Sequence, residues 1–229
     1  MIKYKLKEVK PRIFLMTFKD HYDLCMTFLR YQEFYESPNP KFRGKHFTIV
    51  DFMEWYSKKQ SQGCFEYPKH WAGFNIPSYV IEKIHGIGRK FFVDMNQPKD
   101  YNKYDEIMFN VFNKCYETLD HRVEENPHKF YLIGAMEGNT DTINHEVAHG
   151  FFYTTPAYKK EMLSLVKNLK PSFRNKLYKS LEKIGYTKQV FADEAQAFLS
   201  TGWREFFPTL KGEDKEFIDV FQKYNKLIK

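Results

Sequence analysis

The chain has 229 residues, of which 42% are hydrophobic and 28% charged, with 11 glycines and 10 prolines. That balance excludes collagen-like, low-complexity and wholly disordered classes, and it supports one folded unit of ordinary core size. The formal charge is +7, carried by 29 lysines and 7 arginines spread along the chain. A lysine-dominated excess suits a solubilising surface, whereas contacts to phosphates and guanines favour arginine, so nucleic acid is not expected as a partner.

No apolar run approaches the roughly 18 residues a membrane-spanning helix needs. Residues Met1 to Lys7 alternate lysine with apolar side chains and build no signal-peptide core, so a soluble, cytoplasmic protein without a membrane partner is expected. Cys25, Cys64 and Cys115 form no CxxC pair and are odd in number, which fits a reducing compartment and disfavours a disulfide scaffold.

Ile2, Tyr4 and Leu6 alternate, and Ile13 to Met16 is an apolar run; they predict two strands around a break at Lys10-Pro11. Leu24, Cys25, Phe28, Leu29 and Tyr31 follow helical spacing from Asp20 to Tyr35, and Ser37-Pro38-Asn39-Pro40 stops that helix. Thr48 and Asp51 make a capping-box-like start for a second helix with Phe52, Trp55 and Tyr56 on its apolar face. Ser61 to Asn75 reads as an irregular, aromatic-rich packed loop, followed by a short helix from Pro77 to Gly86. Gly86-Ile87-Gly88 reads as a turn into a strand from Lys90 to Met95, and Tyr104 to Leu119 is amphipathic.

The last hundred residues carry clearer periodicity. Phe130 to Met136 is a short, continuously apolar strand, and Gly138-Asn139-Thr140-Asp141 supplies a turn and an N-cap for a helix from Thr142 to Tyr153. Helices follow at Ala157 to Leu169, Pro171 to Ile184, Thr187 to Ser200 and Lys215 to Leu227.

His145-Glu146-Val147-Ala148-His149 is an HExxH pattern inside one of these helices. Residues i and i+4 lie about 5–6 Å apart on one helix face, so both imidazoles can reach one tetrahedral ion at about 2.0–2.1 Å. Glu146, about 100° around the helix from His145, is placed to accept a proton from a metal-bound water as general base. A catalytic zinc needs a third protein ligand. Phe152 and Thr155 stand where a metzincin continuation would put its glycine and third histidine, so that ligand comes from elsewhere.

Glu194 sits at the centre of the apolar face formed by Val190, Phe191, Ala197 and Phe198, where a lone carboxylate is costly unless it binds a cation. Asp193, at the edge of that face, reads as the partner that orients a metal-bound imidazole, with the opposite assignment of the two neighbours still open. Tyr153, one turn beyond His149, and Tyr186, just before the Glu194 helix, are candidate donors to a tetrahedral oxyanion, as are His121 and His128.

On His145, Glu146, His149 and Glu194 the sequence resembles the zincin metallopeptidases, in particular the gluzincins, whose third ligand is a glutamate on a later helix. The resemblance covers about Phe130 to Gly202, and the 45 residues from His149 to Glu194 form a longer interval than in thermolysin-like members. It implies an α+β zincin-like fold in a single domain, 1–229, with 1–120 as an N-terminal elaboration and a metallopeptidase core at about 128–203. It also implies one zinc ion, a peptide or protein substrate, and peptide-bond hydrolysis with Glu146 as the base. Two alternatives stand beside it: a regulatory zincin acting on a DNA-associated protein, as in the repressor-cleaving zincins, and a non-enzymatic metal-binding protein. In zincins an extended peptide pairs with the edge strand beside the metal helix, and the candidate strand here is Phe130 to Met136, with Gly134 and Ala135 admitting the substrate backbone; its continuous apolar run fits a central strand covered on both faces equally well.

Overall fold

The computed structural model describes residues 2–60, 63–86, 98–119, 129–202, 205–210 and 212–227. The expected strand at 90–95 and the histidines at 121 and 128 lie outside them. A hairpin opens the chain: β1 (Tyr4–Lys10) and β2 (Ile13–Phe18) pair antiparallel about a turn in which Arg12 takes a left-handed φ of 64°. β4 (Tyr131–Met136) then runs parallel to β2, pairing Ile13 with Tyr131 and Phe18 with Met136. β3 (Gly73–Pro77) closes the sheet antiparallel to β4, giving the order β1-β2-β4-β3.

This topology corrects one expectation and decides another. Residues 73–77 form a strand whose first three residues fall in the expected irregular loop, and of the two readings of β4 the central one holds, since it is paired on both sides, so the substrate edge expected there is absent. The uninterrupted apolar sequence of β4 is the signature of burial on both faces.

The helices divide between the two faces of the sheet. Phe14, Met16 and Leu132 point to one side, into a core shared with α1 (His21–Glu36), α2 (Ile49–Gln60), α3 (Tyr67–His70), α4 (Ser78–His85) and α5 (Lys103–Thr118). Ile13, Tyr131 and Ile133 point to the other, into a core shared with α6 (Thr140–Thr154), α7 (Pro156–Asn168), α8 (Pro171–Lys183), α9 (Phe191–Thr201) and α10 (Lys215–Leu227). The alternation follows from the period of two in a strand. Three of the four strands among the described residues come from the segment expected to be an N-terminal elaboration, so that segment is part of the frame of the site.

Local chemistry explains the helix boundaries. The Asp20 carboxylate accepts from the Asp23 amide at 2.8 Å to open α1, and Pro38 follows its C-cap Ser37. Asn139 accepts from the Thr142 amide at 3.2 Å to open α6. Residues 187–190 make a turn, with the Val190 amide on the Thr187 carbonyl at 3.1 Å, so α9 begins at Phe191, four residues later than its periodicity predicts.

Close approach of helix to sheet rests on glycine. A Cβ on Gly150 of α6 would lie 2.7 Å from Ile13 Cδ1, and one on Gly134 of β4 would lie 2.6 Å from Phe28 Cζ of α1. Gly134 therefore faces α1 and admits that helix instead of a substrate. On the α1 side, Arg30 is buried and bonds Asp105 through Nε at 2.8 Å and Asp100 through Nη2 at 2.9 Å, tying α1 to α5. No helix among the described residues is long and apolar enough to cross a membrane.

Candidate metal centre

α6 lies across the sheet with Val147, Ala148 and Phe151 buried in the core, which leaves His145 and His149 to face α9. On α9, Ala195 and Ala197 are fully buried and let the two helices approach, bringing Glu194 opposite the histidine pair. His145 Nε2 and His149 Nε2 are 3.3 Å apart, and Glu194 Oε2 lies 3.9 Å from the first and 3.7 Å from the second. A tetrahedral ion with bonds of about 2.0–2.2 Å holds its donor atoms about 3.3–3.6 Å apart, so the triad needs shifts of only a few tenths of an ångström to meet it.

The chemistry of the donors points the same way. Glu194 is 3% exposed and its Oε2 has no hydrogen-bond partner, an arrangement that is costly unless a positive charge sits beside it. Burial pushes the Glu194 carboxyl well above the carboxylate range and His145 well below the imidazole range. Burial also opposes a charge on His149, but the carboxylates of Asp193 and Glu194 outweigh it and raise its pKa. The cluster thus favours one added positive charge, which a proton on His149 or a divalent cation among the three donors would provide.

Both imidazoles are held with Nε2 turned toward Glu194. Asp193 Oδ1 is 2.9 Å from His149 Nδ1, and a carboxylate only accepts, so Nδ1 is the donor and the Nε2 lone pair is left for a metal. Asp193 Oδ1 also accepts from Gln196 Nε2 at 2.9 Å, and Gln196 Oε1 accepts from the Tyr158 hydroxyl at 2.8 Å. Thr201 Oγ1 donates to the Ala197 carbonyl at 2.7 Å, which leaves its oxygen to accept from His145 Nδ1 at 3.3 Å. Glu194 thus faces the two Nε2 atoms, in a group that could hold a metal ion, while Asp193 bonds the far nitrogen of His149.

Glu146 points the other way, to the edge strand β3. Asn75 Nδ2 donates to Glu146 Oε2 at 2.8 Å, and the Tyr131 hydroxyl donates to Asn75 Oδ1 at 2.6 Å. Glu146 is 6% exposed, and burial raises its pKa against the opposing pull of His149 and Asn75. Gly73 makes this contact between strand and helix possible, since a Cβ there would stand 2.6 Å from Glu146 Oε1.

The triad opens into a cavity of about 1140 Å³ beside the edge of β3 that is unpaired among the described residues, where the helical layers on the two faces meet. Tyr186 lies on its wall, with its pKa raised by burial and by the neighbouring Glu194 carboxylate. Tyr153 does not line it. Eight residues beyond His145 is about 80° around the helix, and there its ring packs 5.1 Å from that of Tyr131 with Lys129 Nζ 4.8 Å from its centroid. Tyr79, Ile184 and Phe206, three of the large apolar side chains left exposed, lie on the cavity wall.

Asn75 and Thr201 escaped the sequence reading. Thr201 falls one residue past the helix expected from Thr187 to Ser200, and the one signal for Asn75 is an amide between the apolar Phe74 and Ile76. Comparisons with protein-family models, curated proteins and solved structures gave no match.

Proposed function

We propose that the protein is a zinc-dependent peptidase of zincin type in which His145, His149 and Glu194 hold the metal and Glu146 is the general base. The observation that carries this reading is the buried, unpartnered Glu194 Oε2 facing two Nε2 atoms whose other ring nitrogens are both engaged. A zinc ion bound there would supply a Lewis acid for a scissile carbonyl and a water of lowered pKa.

The chain's own residues account for the rest. Glu146, held by Asn75 and raised in pKa by burial, takes a proton from the attacking water and delivers it to the leaving amine. Asp193 and Thr201 keep the imidazoles oriented. Tyr186, on the same wall, is the donor to the oxyanion, while Tyr153 is too far around α6 for that role. The substrate backbone pairs with the edge of β3 that no other described strand covers, next to Glu146, in place of β4. Tyr79, Ile184 and Phe206 receive apolar side chains at the cavity wall.

The regulatory alternative, a zincin acting on a DNA-associated protein, has only the overall +7 charge behind it. A non-enzymatic metal site has no use for a buried carboxylate such as Glu146 beside it.

The test is metal content beside turnover. Purified protein should hold about one equivalent of zinc, lost in His145→Ala, His149→Ala and Glu194→Ala, and Glu146→Gln should keep zinc while losing hydrolysis of a mixed peptide library. Full zinc content in both histidine variants would refute the site, and full turnover by Glu146→Gln would refute the mechanism.

A further inference from the structure

The basic side chains are spread along the chain, but their excess over the acidic ones is not. Between Pro156, where α7 begins, and Val190, the last residue before α9, stand eight lysines and one arginine against Glu161 and Glu182. That segment carries +7, the formal charge of the whole protein, and the remaining 194 residues hold 27 basic and 27 acidic side chains. A surface that only keeps a protein in solution needs no such concentration, since interspersed charges of both signs suffice.

The fold turns this charge outward and leaves it unneutralised. Phe173, Leu177 and Leu181 bury one face of α8, while Lys176, Lys179 and Lys183, at i, i+3 and i+7, form an exposed row on another. Among the described residues, the salt bridges of the segment are Lys170 to Glu213 at 2.7 Å and Glu161 to Lys223 at 3.0 Å, so the row keeps its charge. Its position supplies a second, independent observation. The row runs about 10 Å along α8 and ends at Lys183. The next residues, Ile184, Gly185 and Tyr186, lie on the wall of the cavity that holds the triad, and Lys188 is exposed between Thr187 and Gln189, which lie on it too. The basic face therefore meets the mouth of that cavity.

Charge and position together define what fits. Inside the cavity the wall carries the carboxylates of Glu33, Glu36, Asp141 and Glu205, which repel an anionic chain, so an acidic segment stays outside on the lysine row. Eight of the nine basic side chains are lysines, which lack the planar fork that holds phosphate and guanine in bidentate fashion, so an acidic polypeptide fits the face better than a nucleic acid. An extended chain, at about 3.3 Å per residue, spans the row with about four residues. We propose that Lys176, Lys179, Lys183 and Lys188 form a docking face for an acidic segment of a protein substrate, next to the segment that enters the cavity. This rests on the reading of the cavity as a peptidase site.

The test separates the placement of charge from its amount. Full-length Glu146→Gln protein is titrated by fluorescence anisotropy with dye-labelled Glu-Glu-Ser-Glu-Glu-Ser-Glu-Glu, with its Gln-for-Glu counterpart, and with an oligothymidylate of the same charge. At low salt the acidic peptide should bind about tenfold or more tightly than the neutral one, and Lys176→Gln/Lys179→Gln/Lys183→Gln in the same background should remove most of that preference. Lys3→Gln/Lys7→Gln/Lys114→Gln removes the same charge from exposed positions elsewhere and should leave the preference intact. Equal losses in the two triple variants, or no preference in the parent, overturn the docking face. Tighter binding of the oligothymidylate than of the acidic peptide overturns it in favour of nucleic acid. Cleavage by the unsubstituted chain is scored separately, with the acidic sequence joined to a mixed peptide library through a flexible linker, which should lower KM and leave kcat unchanged. Acidic-peptide binding without any cleavage refutes the peptidase reading and leaves the acidic-segment site standing, whereas cleavage that ignores the acidic tail refutes substrate docking and leaves the peptidase reading standing.

Discussion

Replacing Asn75 by leucine tests the link between the edge strand and the base. Asn75, Tyr131 and Glu146 are 8%, 2% and 6% exposed and form one chain of bonds, 2.6 Å from the tyrosine hydroxyl to Asn75 Oδ1 and 2.8 Å from Asn75 Nδ2 to Glu146 Oε2. Leucine fills similar volume with no polar atom, so water does not take the amide's place. The Tyr131 hydroxyl and one Glu146 oxygen then lose their partners at a cost of about 1–3 kcal/mol each, softened on the Glu146 side by the water-accessible cavity. A net loss of about 2–4 kcal/mol is expected, a fall in Tm of roughly 10 °C for a chain of this length. Tyr131→Phe in the Asn75→Leu background removes one orphaned group and should recover about 1–2 kcal/mol, a coupling that a double-mutant cycle in urea reads directly. Zinc content should stay the same because no ligand is touched, while kcat falls by about tenfold or more with the base misaligned. Asn75→Leu within about 0.5 kcal/mol of the parent, or no recovery with Tyr131→Phe, would refute the bond chain as an energetic unit.

Three further expectations follow from single contacts. Asp193→Asn should lower zinc affinity by about 10- to 100-fold without abolishing binding, because it weakens the acceptor that orients His149, and competition with a chromophoric chelator measures this; unchanged affinity removes Asp193 from the site. Gly73→Ala should keep zinc but lose turnover and about 1–3 kcal/mol of stability, since the new Cβ would stand 2.6 Å from Glu146 Oε1; parent-like turnover would show that β3 yields. Burial, and then the charge of Arg30, hold His85 down to about 4, below the ~6.5 of an unfolded histidine, so the unfolded chain binds more protons between these values and the stability is present above pH 6.5 and lost as pH falls toward 4. Urea midpoints at pH 7 and 4.5 should therefore fall more steeply for the parent than for His85→Gln, by about 2–3 kcal/mol of stability, and equal slopes would contradict this.

What could be read from the sequence was what one element encodes alone. His145, Glu146 and His149 share one helix, and Glu194 is a carboxylate on an apolar stripe, so helical periodicity suffices to single out all four. β4 was legible as a strand, and its apolar run fitted a central position as well as an edge, but the strand that decides between them is β3. That strand was hidden by its own site-building residues: Gly73, Asn75 and Pro77 are poor strand formers, present because α6 approaches at Gly73 and Glu146 needs an amide at Asn75. The contact of Thr201 Oγ1 with His145 Nδ1 depends on how α6 and α9 cross, which no single helix records.

Charge was read at the wrong scale for the same reason. The excess of lysine describes the surface that water sees and bears on solubility and loose encounters. A ligand inside the cavity would meet the side chains that folding has gathered at its wall, and these are acidic because α1, α6 and α9 each turn carboxylates toward one space. Glu33 and Glu36 stand more than a hundred residues from Glu146 and Glu194, so no window along the chain shows them together. In a cavity with low-dielectric walls those few charges act on a bound cation more strongly than lysines screened by salt on the outside. A basic protein with an acidic interior cleft should repel cationic peptides at long range and hold them once inside. Added salt should therefore speed their association while weakening the bound state, and an association rate for a lysine-bearing peptide that falls with ionic strength would refute this division of charge.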